Sequence, residues 1–287
     1  SRTAEQLRMP CVIYMHGNCG CRAEALEILP LVIGGGMTLF SFDFGGCGKS
    51  EGEHISLGWW EREDLGAVVS HLRECGTVST IGLWGRSMGA VTALLHGDRD
   101  PSIAAMVLDS PFCSLRELAG ELVSHLDFKI PSFAVSAALS FVKSSVKKRA
   151  GFNVDELAPV KHADACFIPA LFGHAEDDDF ILKRHSEAIH EKYAGDKNLV
   201  TFDGDHNSRR PEWFYHSALN WLQATMLQGA TPPSVSSPPV MFSPRHGGAP
   251  PDDAQLAAEM MKQAQAQAAG GAEGAAAAGY YPSTAER

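Results

Sequence analysis

The sequence predicts a doubly wound α/β fold, which is a mostly parallel sheet with helices on both faces. Six short apolar segments are typical of strands, at residues 11–16, 38–44, 79–84, 103–109, 167–173 and 199–204. Because they are almost continuously apolar, we expect both faces of each strand to be buried, as in parallel sheets. Helical patterns separate them, at residues 22–33, 58–75, 87–97, 183–194 and 211–227. Such alternation of strands and helices predicts parallel crossovers.

Composition divides the chain into two regions. Residues 1–228 carry the α/β pattern, and we expect them to form one domain. From Gly229 onward Pro, Gly, Ser and Ala dominate, and large apolar residues are too few to offset the entropy cost of ordering. We therefore expect residues 229–287 to be a low-complexity, disordered tail.

Charge and cysteine usage exclude several classes of protein. The formal net charge of −10 argues against nucleic-acid binding, which needs concentrated Lys and Arg. The seven cysteines are an odd number without zinc-like spacing, so we expect no metal, no disulfide framework and a reduced, cytoplasmic environment. We find neither a secretory signal nor an apolar run that could span a bilayer. The chain begins at Ser1 rather than Met, so upstream signals stay open. The sequence makes no prediction of the oligomeric state.

The third predicted strand is followed by a G-x-S-x-G motif. Ser87 stands at its centre in GRSMGA (85–90), between an apolar strand and a helical pattern. A nucleophile in this motif occupies a sharp strand-to-helix turn, where glycines leave room for the neighbouring backbone. The residue types and their placement predict that Ser87 is a catalytic nucleophile.

The loop after the first strand, HGNCGC (16–21), is a candidate oxyanion hole. In a hydrolase, the backbone N–H of Asn18 would bind a substrate oxyanion together with that of Met88, the residue after the nucleophile. We expect His16 to be a structural loop residue. The segment DFGGCGKS (43–50) lacks the glycine spacing of a phosphate-binding loop, and we expect it to form a wall beside the pocket.

A histidine and several carboxylates follow the later strands. His206, in GDHN after the last strand, completes the chain order Ser–Asp–His that is expected of α/β-hydrolases. The acid that orients it would come from the run Asp177, Asp178 and Asp179 after the fifth strand, or from Asp109 at the end of the fourth. A magnesium or calcium site is disfavoured, because no D-x-D repeat supplies further oxygen ligands.

These motifs together resemble the α/β-hydrolase superfamily, and in particular its serine-aminopeptidase-like and dienelactone-hydrolase-like branch. The resemblance covers about residues 11–225 and rests on HGN, DFGGCGKS, GRSMG, DSPF, the acidic loop and GDHN. In that branch the acid lies in a pattern of small-x-x-Asp-x-x-aliphatic. Aligning Ala175 and Ile181 to this pattern places the acid at Asp178, with Asp177 as second choice and Asp109 as the rival on the previous strand.

The chain departs from the branch at its N-terminus, and the resemblance also implies a cap. The branch normally opens its sheet with two further strands, whereas ten residues precede the HG strand here, so the sheet is shortened at that edge or the chain is a fragment. A small helical cap is expected at about residues 112–163. Its apolar and basic segment 128–149 has two interpretations, a lid packed over the pocket or a peripheral membrane contact.

The function predicted from the sequence is that of a cofactor-independent serine hydrolase that cleaves a carboxylic ester or thioester. Ser87, His206 and Asp178 would form the triad, and the partner would be a small-molecule or acylated substrate. Two alternatives stay open: a serine aminopeptidase or amidase, and a catalytically silent scaffold used for binding.

Overall fold

The computed structural model describes residues 8–124 and 132–227, without the side chains of residues 124 and 132–139. The strands are β1 Met9–Met15, β2 Thr38–Ser41, β3 Val78–Arg86, β4 Ala105–Asp109, β5 Ala170–Ala175 and β6 Lys197–Phe202. The helices are α1 Leu29–Gly34, α2 Glu61–Glu74, α3 Met88–Gly97, α4 Leu115–Ser124, α5 Ser132–Ala150, α6 Arg184–Lys192 and α7 Glu212–Met226. Short 3-10 helices cover Arg22–Glu27, Val154–Glu156, Pro159–Lys161 and Ala163–Ala165. The predicted tail, residues 229–287, lies outside the described residues.

The six strands form one sheet in the order β2-β1-β3-β4-β5-β6. All five pairings are parallel, so the carboxyl ends of the strands share one edge. The order reverses between β1 and β3, and ligands of open α/β sheets bind at the carboxyl edge near such a point. The predicted doubly wound α/β fold is confirmed.

Alternate side chains of each central strand enter two separate cores. On β1, Ile13 packs with α2, α3 and α6, whereas Val12 and Tyr14 pack with α1 and α7. Both sets are buried because strand side chains alternate between faces and helices cover each face. The almost continuous apolar strands of the sequence follow directly from this double burial.

The first predicted helix, residues 22–33, is divided in the structure. A 3-10 helix Arg22–Glu27 comes first, and α1 begins at Leu29 with Pro30 in its first turn. Proline lacks the N–H that a continuous helix would need there but is well tolerated in a first turn. The break keeps the segment beside β1 short and compact.

The predicted cap contributes α4, α5 and the 3-10 helices that follow them. A small third core joins this segment to α3 through Phe112, Leu118 and Phe152. Part of the segment 128–149 lies outside the described residues, but Phe141 and Val142 on α5 are exposed, at 76% and 52%. Within the described part of the chain, no helix is long and apolar enough to cross a bilayer. The cytoplasmic location stays a prediction.

Candidate active site

Ser87 occupies a strained turn between β3 and α3. Its φ of 51° and ψ of −115° lie where non-glycine residues cost about 1–3 kcal/mol. A Cβ on Gly85 would come within 2.3 Å of the Gly89 carbonyl, and one on Gly89 within 2.2 Å of the Met15 carbonyl oxygen. Both glycines are therefore needed for β1 and α3 to approach the turn, which presents the serine at the carboxyl edge of the sheet.

The side chains of Ser87, His206 and Asp178 form a continuous hydrogen-bonded chain. The distance from Ser87 Oγ to His206 Nε2 is 3.2 Å, and that from His206 Nδ1 to Asp178 Oδ2 is 2.6 Å. An ionised carboxylate can only accept, so Nδ1–H donates to Asp178 and Nε2 is left to accept from the serine hydroxyl. All three are buried, with at most 9% of each residue exposed. The arrangement can move a proton from the hydroxyl to the imidazole.

Asp178 is held as an anion by its surroundings. Its Oδ1 accepts hydrogen bonds from the backbone N–H groups of Phe180 (3.1 Å) and Ile181 (2.7 Å), and His174 Nε2 lies 3.4 Å from Oδ2. Burial works to raise the pKa of Asp178, but the hydrogen bonds from His174 and His206, the electrostatic attraction of the His206 ring and the Ile181 amide outweigh it. The pKa therefore lies well below its ordinary value.

The other candidate acids do not meet His206. The side chains of Asp177 and Asp179 are exposed. Asp109 is buried, but Arg210 engages both of its carboxylate oxygens at 2.9 Å, and the Ser110 hydroxyl donates to it. The structure thus brings only Asp178 among these four to the imidazole.

Arg210 was not singled out by the sequence, yet it fixes the loop that carries His206. In addition to its bidentate contact with Asp109, Arg210 donates through Nη1 to the backbone carbonyls of Asp205 (3.2 Å) and Ser208 (2.9 Å). Arg210 and Asp109 are 3% and 2% exposed. A buried bidentate pair of this kind has high geometric specificity, so it ties the histidine loop to the end of β4.

The candidate oxyanion amides lie beside the serine. Asn18 and Met88 border the same cavity as Ser87, and neither backbone N–H donates to another described residue. Met88 is the first residue of α3, where helical N–H groups lack intrahelical partners and the helix dipole favours negative charge. Two backbone amides for which no acceptor is found among the described residues therefore border the cavity beside Ser87.

His16 supports the loop of Asn18 and does not reach the cavities. It is fully buried, its Nε2 accepts from the Phe44 backbone N–H (3.2 Å), and its Nδ1 lies 2.8 Å from the Gly17 carbonyl oxygen. Both ring nitrogens are thus occupied, as Nδ1–H donates to that carbonyl. This is the structural role expected from the sequence.

The segment 43–50 is not the pocket wall expected from the sequence. Among the described residues, none of this segment lines either cavity at Ser87. Asp43 instead accepts from the backbone N–H groups of Arg22 (2.6 Å) and Lys49 (3.0 Å) and pairs with the Arg22 guanidinium. The segment therefore stabilises the 3-10 helix Arg22–Glu27, which directly follows the candidate oxyanion loop.

In the described part of the chain, Ser87 borders two cavities with different linings. One of about 130 Å³ is mainly apolar and is lined on one side by α4, through Leu115, Leu118, Ala119 and Leu122. The other, of about 410 Å³, carries the polar side chains Glu24, Arg86 and Asn207. Phe180 and Asn18 border both cavities.

Related proteins share sequence similarity with about two thirds of this chain. YqkD of Bacillus subtilis is 32% identical over 200 residues, which are 68% of this chain and 64% of that protein. The lysophosphatidylserine lipase ABHD12 of Danio rerio is 26% identical over 196 residues, 66% of this chain and 49% of the relative. The chain thus spans about half to two thirds of the length of these curated relatives.

Solved structures share the fold. The esterase Pf2001 of Pyrococcus furiosus superposes with a TM-score of 0.60 at 22% identity, covering 76% of this chain and 84% of the esterase. At this identity the likeness establishes the α/β-hydrolase fold.

A family model described as serine aminopeptidase, S33, matches residues 9–161, more than half of the chain. The match includes the HGN loop, the segment 43–50, the G-x-S-x-G turn and much of the cap. Together with the relatives it confirms the resemblance drawn from the motifs: the chain belongs to the serine aminopeptidase (S33) family of α/β-hydrolases.

Proposed function

We propose that this protein is a serine hydrolase that cleaves a carboxylic ester or thioester through Ser87, His206 and Asp178. The observation that carries the proposal is the hydrogen-bonded chain from Ser87 Oγ through both nitrogens of His206 to Asp178. Nucleophile, base and orienting acid are within hydrogen-bond reach of one another, which is the geometric signature of this mechanism.

The chemistry divides into two acyl transfers. Ser87 Oγ bonds to the substrate carbonyl carbon while His206 Nε2 takes the hydroxyl proton, and the amides of Asn18 and Met88 bind the oxyanion. When the intermediate collapses, the bond to the leaving alcohol or thiol breaks and His206 returns the proton to it. Water then attacks the acyl-enzyme with His206 again as base, releasing a carboxylic acid and free Ser87. Asp178 stabilises the imidazolium in both steps.

The two cavities support a substrate with an apolar acyl group and a polar leaving group. The 130 Å³ cavity has the size and lining for a small acyl chain, and the 410 Å³ cavity offers charged and amide groups to the leaving group. The relative named as a lysophosphatidylserine lipase and the fold neighbour named as an esterase support ester cleavage.

The decisive experiment combines active-site labelling with a substrate panel. Wild type should react with a fluorophosphonate probe and hydrolyse p-nitrophenyl esters, with a preference for short acyl chains over long ones. Ser87→Ala should lose labelling and fall in rate by on the order of 10⁴-fold or more. Ser70→Ala, a surface serine on α2, serves as control and should leave both unchanged. Robust labelling of Ser87→Ala would contradict the proposal, and an unreactive wild type would favour a scaffold without catalysis.

One observation favours a second candidate, a serine aminopeptidase. The Glu24 carboxylate lines the polar cavity beside Ser87, where it could pair with the free amine of an aminoacyl substrate. It also accepts from the Gly17 backbone N–H at 3.3 Å, which fixes its position. Faster cleavage of aminoacyl amides than of esters, lost in Glu24→Gln, would favour this function over the esterase.

A further inference from the structure

Outside the serine site, three potential metal ligands converge between α4 and α6. Cys113 Sγ lies 3.0 Å from His185 Nδ1 and 3.4 Å from a carboxylate oxygen of Glu117. One ligand atom from each residue lies within 4.8 Å of the other two. Cys113 and His185 are 3% and 1% exposed, whereas Glu117 reaches the surface. The group is therefore a largely buried pocket of donors with one side open to solvent.

The fold explains this convergence. Cys113 lies in the loop between β4 and α4, just before the helix begins, and Glu117 is four residues later, so the first turn of α4 brings its carboxylate back towards the thiol. His185 belongs to the first turn of α6, 72 residues away along the chain. The sequence predicts no metal site, because this set has no recognisable spacing and exists only through the packing of α4 against α6.

The histidine is oriented as metal-binding histidines usually are. Its Nε2 lies 2.9 Å from Glu121 Oε2, and Glu121 also pairs with Arg184. Nε2–H therefore donates to a carboxylate, which leaves the Nδ1 lone pair directed at Cys113 Sγ and at the Cys113 backbone N–H, 3.2 Å away. A carboxylate on the far nitrogen fixes the tautomer and raises the basicity of the ligating nitrogen.

We propose that Cys113, Glu117 and His185 bind a zinc ion. Thiolate, imidazole and carboxylate are the ligand types of zinc in proteins. Zinc bonds of about 2.0–2.3 Å in a tetrahedron separate the ligand atoms by about 3.3–3.8 Å, so small side-chain movements suffice. The thiolate and the Glu117 carboxylate balance the ion's two positive charges, and Arg184 balances Glu121. Water at the solvent-exposed side completes four ligands.

The proposed zinc site is separate from the proposed hydrolase site. Among the described residues lining the two cavities at Ser87, Cys113 is absent, so its thiol has no access to a substrate there. The ion links the start of α4, whose Leu115 and Leu118 line the apolar cavity, to the start of α6. It thereby fixes α4, which forms one wall of the apolar cavity beside Ser87.

Zinc stoichiometry and cobalt spectroscopy test the site. The full chain, loaded with zinc and then dialysed, should retain one zinc ion per chain by elemental analysis. With cobalt in place of zinc it should show a thiolate-to-cobalt charge-transfer band. Cys113→Ser and Glu117→Gln should lose the retained zinc, and Glu121→Gln should weaken zinc affinity by about 10- to 100-fold. Cys166→Ser, at another buried cysteine whose thiol contacts Tyr193, is the matched control and should bind like wild type.

The ligand variants and the control together distinguish a zinc site from its absence. Loss of zinc and of the cobalt band in the ligand variants, with both kept in Cys166→Ser, supports the site. A wild type that retains no zinc overturns it, as does a Glu117→Gln variant that binds as wild type does. Should Cys113→Ser fail to fold, the exposed Glu117 still allows the test. Zinc should also raise the melting temperature of wild type and not that of Glu117→Gln.

Discussion

At the scale of single residues, the local environment gives chemically identical side chains different burial and different hydrogen bonds. Asp177, Asp178 and Asp179 are consecutive, yet the end of β5 turns only Asp178 inward, where two backbone amides and two histidines surround its carboxylate. Burial without these partners would favour the neutral acid. The same carboxylate therefore becomes a fixed anion that can stabilise an imidazolium, whereas its neighbours are solvated.

This contrast predicts the effects of single Asp-to-Asn changes. Asp178→Asn should lower kcat for a p-nitrophenyl ester by on the order of 10⁴-fold, because an amide cannot stabilise the imidazolium and favours the wrong tautomer. Asp177→Asn and Asp179→Asn should stay within a few-fold of wild type. Steady-state kinetics at neutral pH, with circular dichroism to check folding, provide the measurement. If Asp177→Asn or Asp109→Asn is inactive while Asp178→Asn is active, the acid is misassigned.

At the scale of elements, the exposed face of α5 is a candidate membrane contact. Phe141 and Val142 project into solvent, and Lys147, Lys148 and Arg149 follow one to two turns later, also exposed. Apolar side chains beside a cluster of cations are typical of segments that lie in the interface of anionic membranes. The end of the helix is anchored, since Trp60 Nε1 donates to the Ala150 carbonyl at 2.7 Å.

We therefore propose that the described, exposed end of α5, residues 140–149 of the predicted 128–149 segment, binds anionic lipid. Wild type should float with vesicles of phosphatidylserine and phosphatidylcholine, and added salt should weaken the binding. Phe141→Ser with Val142→Ser should reduce vesicle binding by about tenfold or more, because each apolar side chain contributes roughly 1.5–3 kcal/mol when buried. Ile33→Ser, an equally exposed position on α1, is the control. Unchanged flotation of the α5 variant would contradict the contact and favour a lid.

At the scale of the whole molecule, the sequence predicts what depends on local pattern. The six strands were predictable within a few residues because burial of both sheet faces makes their sequences almost continuously apolar. The G-x-S-x-G turn was predictable because any residue larger than glycine at its two glycine positions would clash with the neighbouring backbone. The motif order also pointed to Ser87 and His206, and the family resemblance selected Asp178 among the candidate acids. The pair of Asp109 and Arg210 was not predictable, since 101 residues separate two side chains whose contact depends on how two loops pack. The three proposed zinc ligands were not predictable either, because they come together only through the packing of distant segments.

That buried pair makes global stability depend on pH in a defined direction. Burial works to raise the pKa of Asp109, but the charge and hydrogen bonds of Arg210, with Arg86 and Ser110, hold it below its ordinary value. A carboxyl group whose pKa is lower in the folded than in the unfolded chain stabilises the fold above its unfolded pKa of about 3.9. This stabilisation is lost as the pH falls through the lowered value. Asp178 acts in the same direction.

The contribution of Asp109 and Asp178 to the free energy of unfolding should therefore vary little between about pH 7 and pH 5 and be lost below about pH 4. Asp109→Asn should be less stable at neutral pH by about 3–5 kcal/mol, because Arg210 then remains buried without its counter-charge. Its further loss in acid should be shallower, since one of the groups that must be protonated is gone. Urea unfolding followed by tryptophan fluorescence measures both effects, and the exposed Asp179→Asn serves as control. If wild type and Asp109→Asn lost stability in parallel on acidification, the pair would have no role in linking protonation to unfolding.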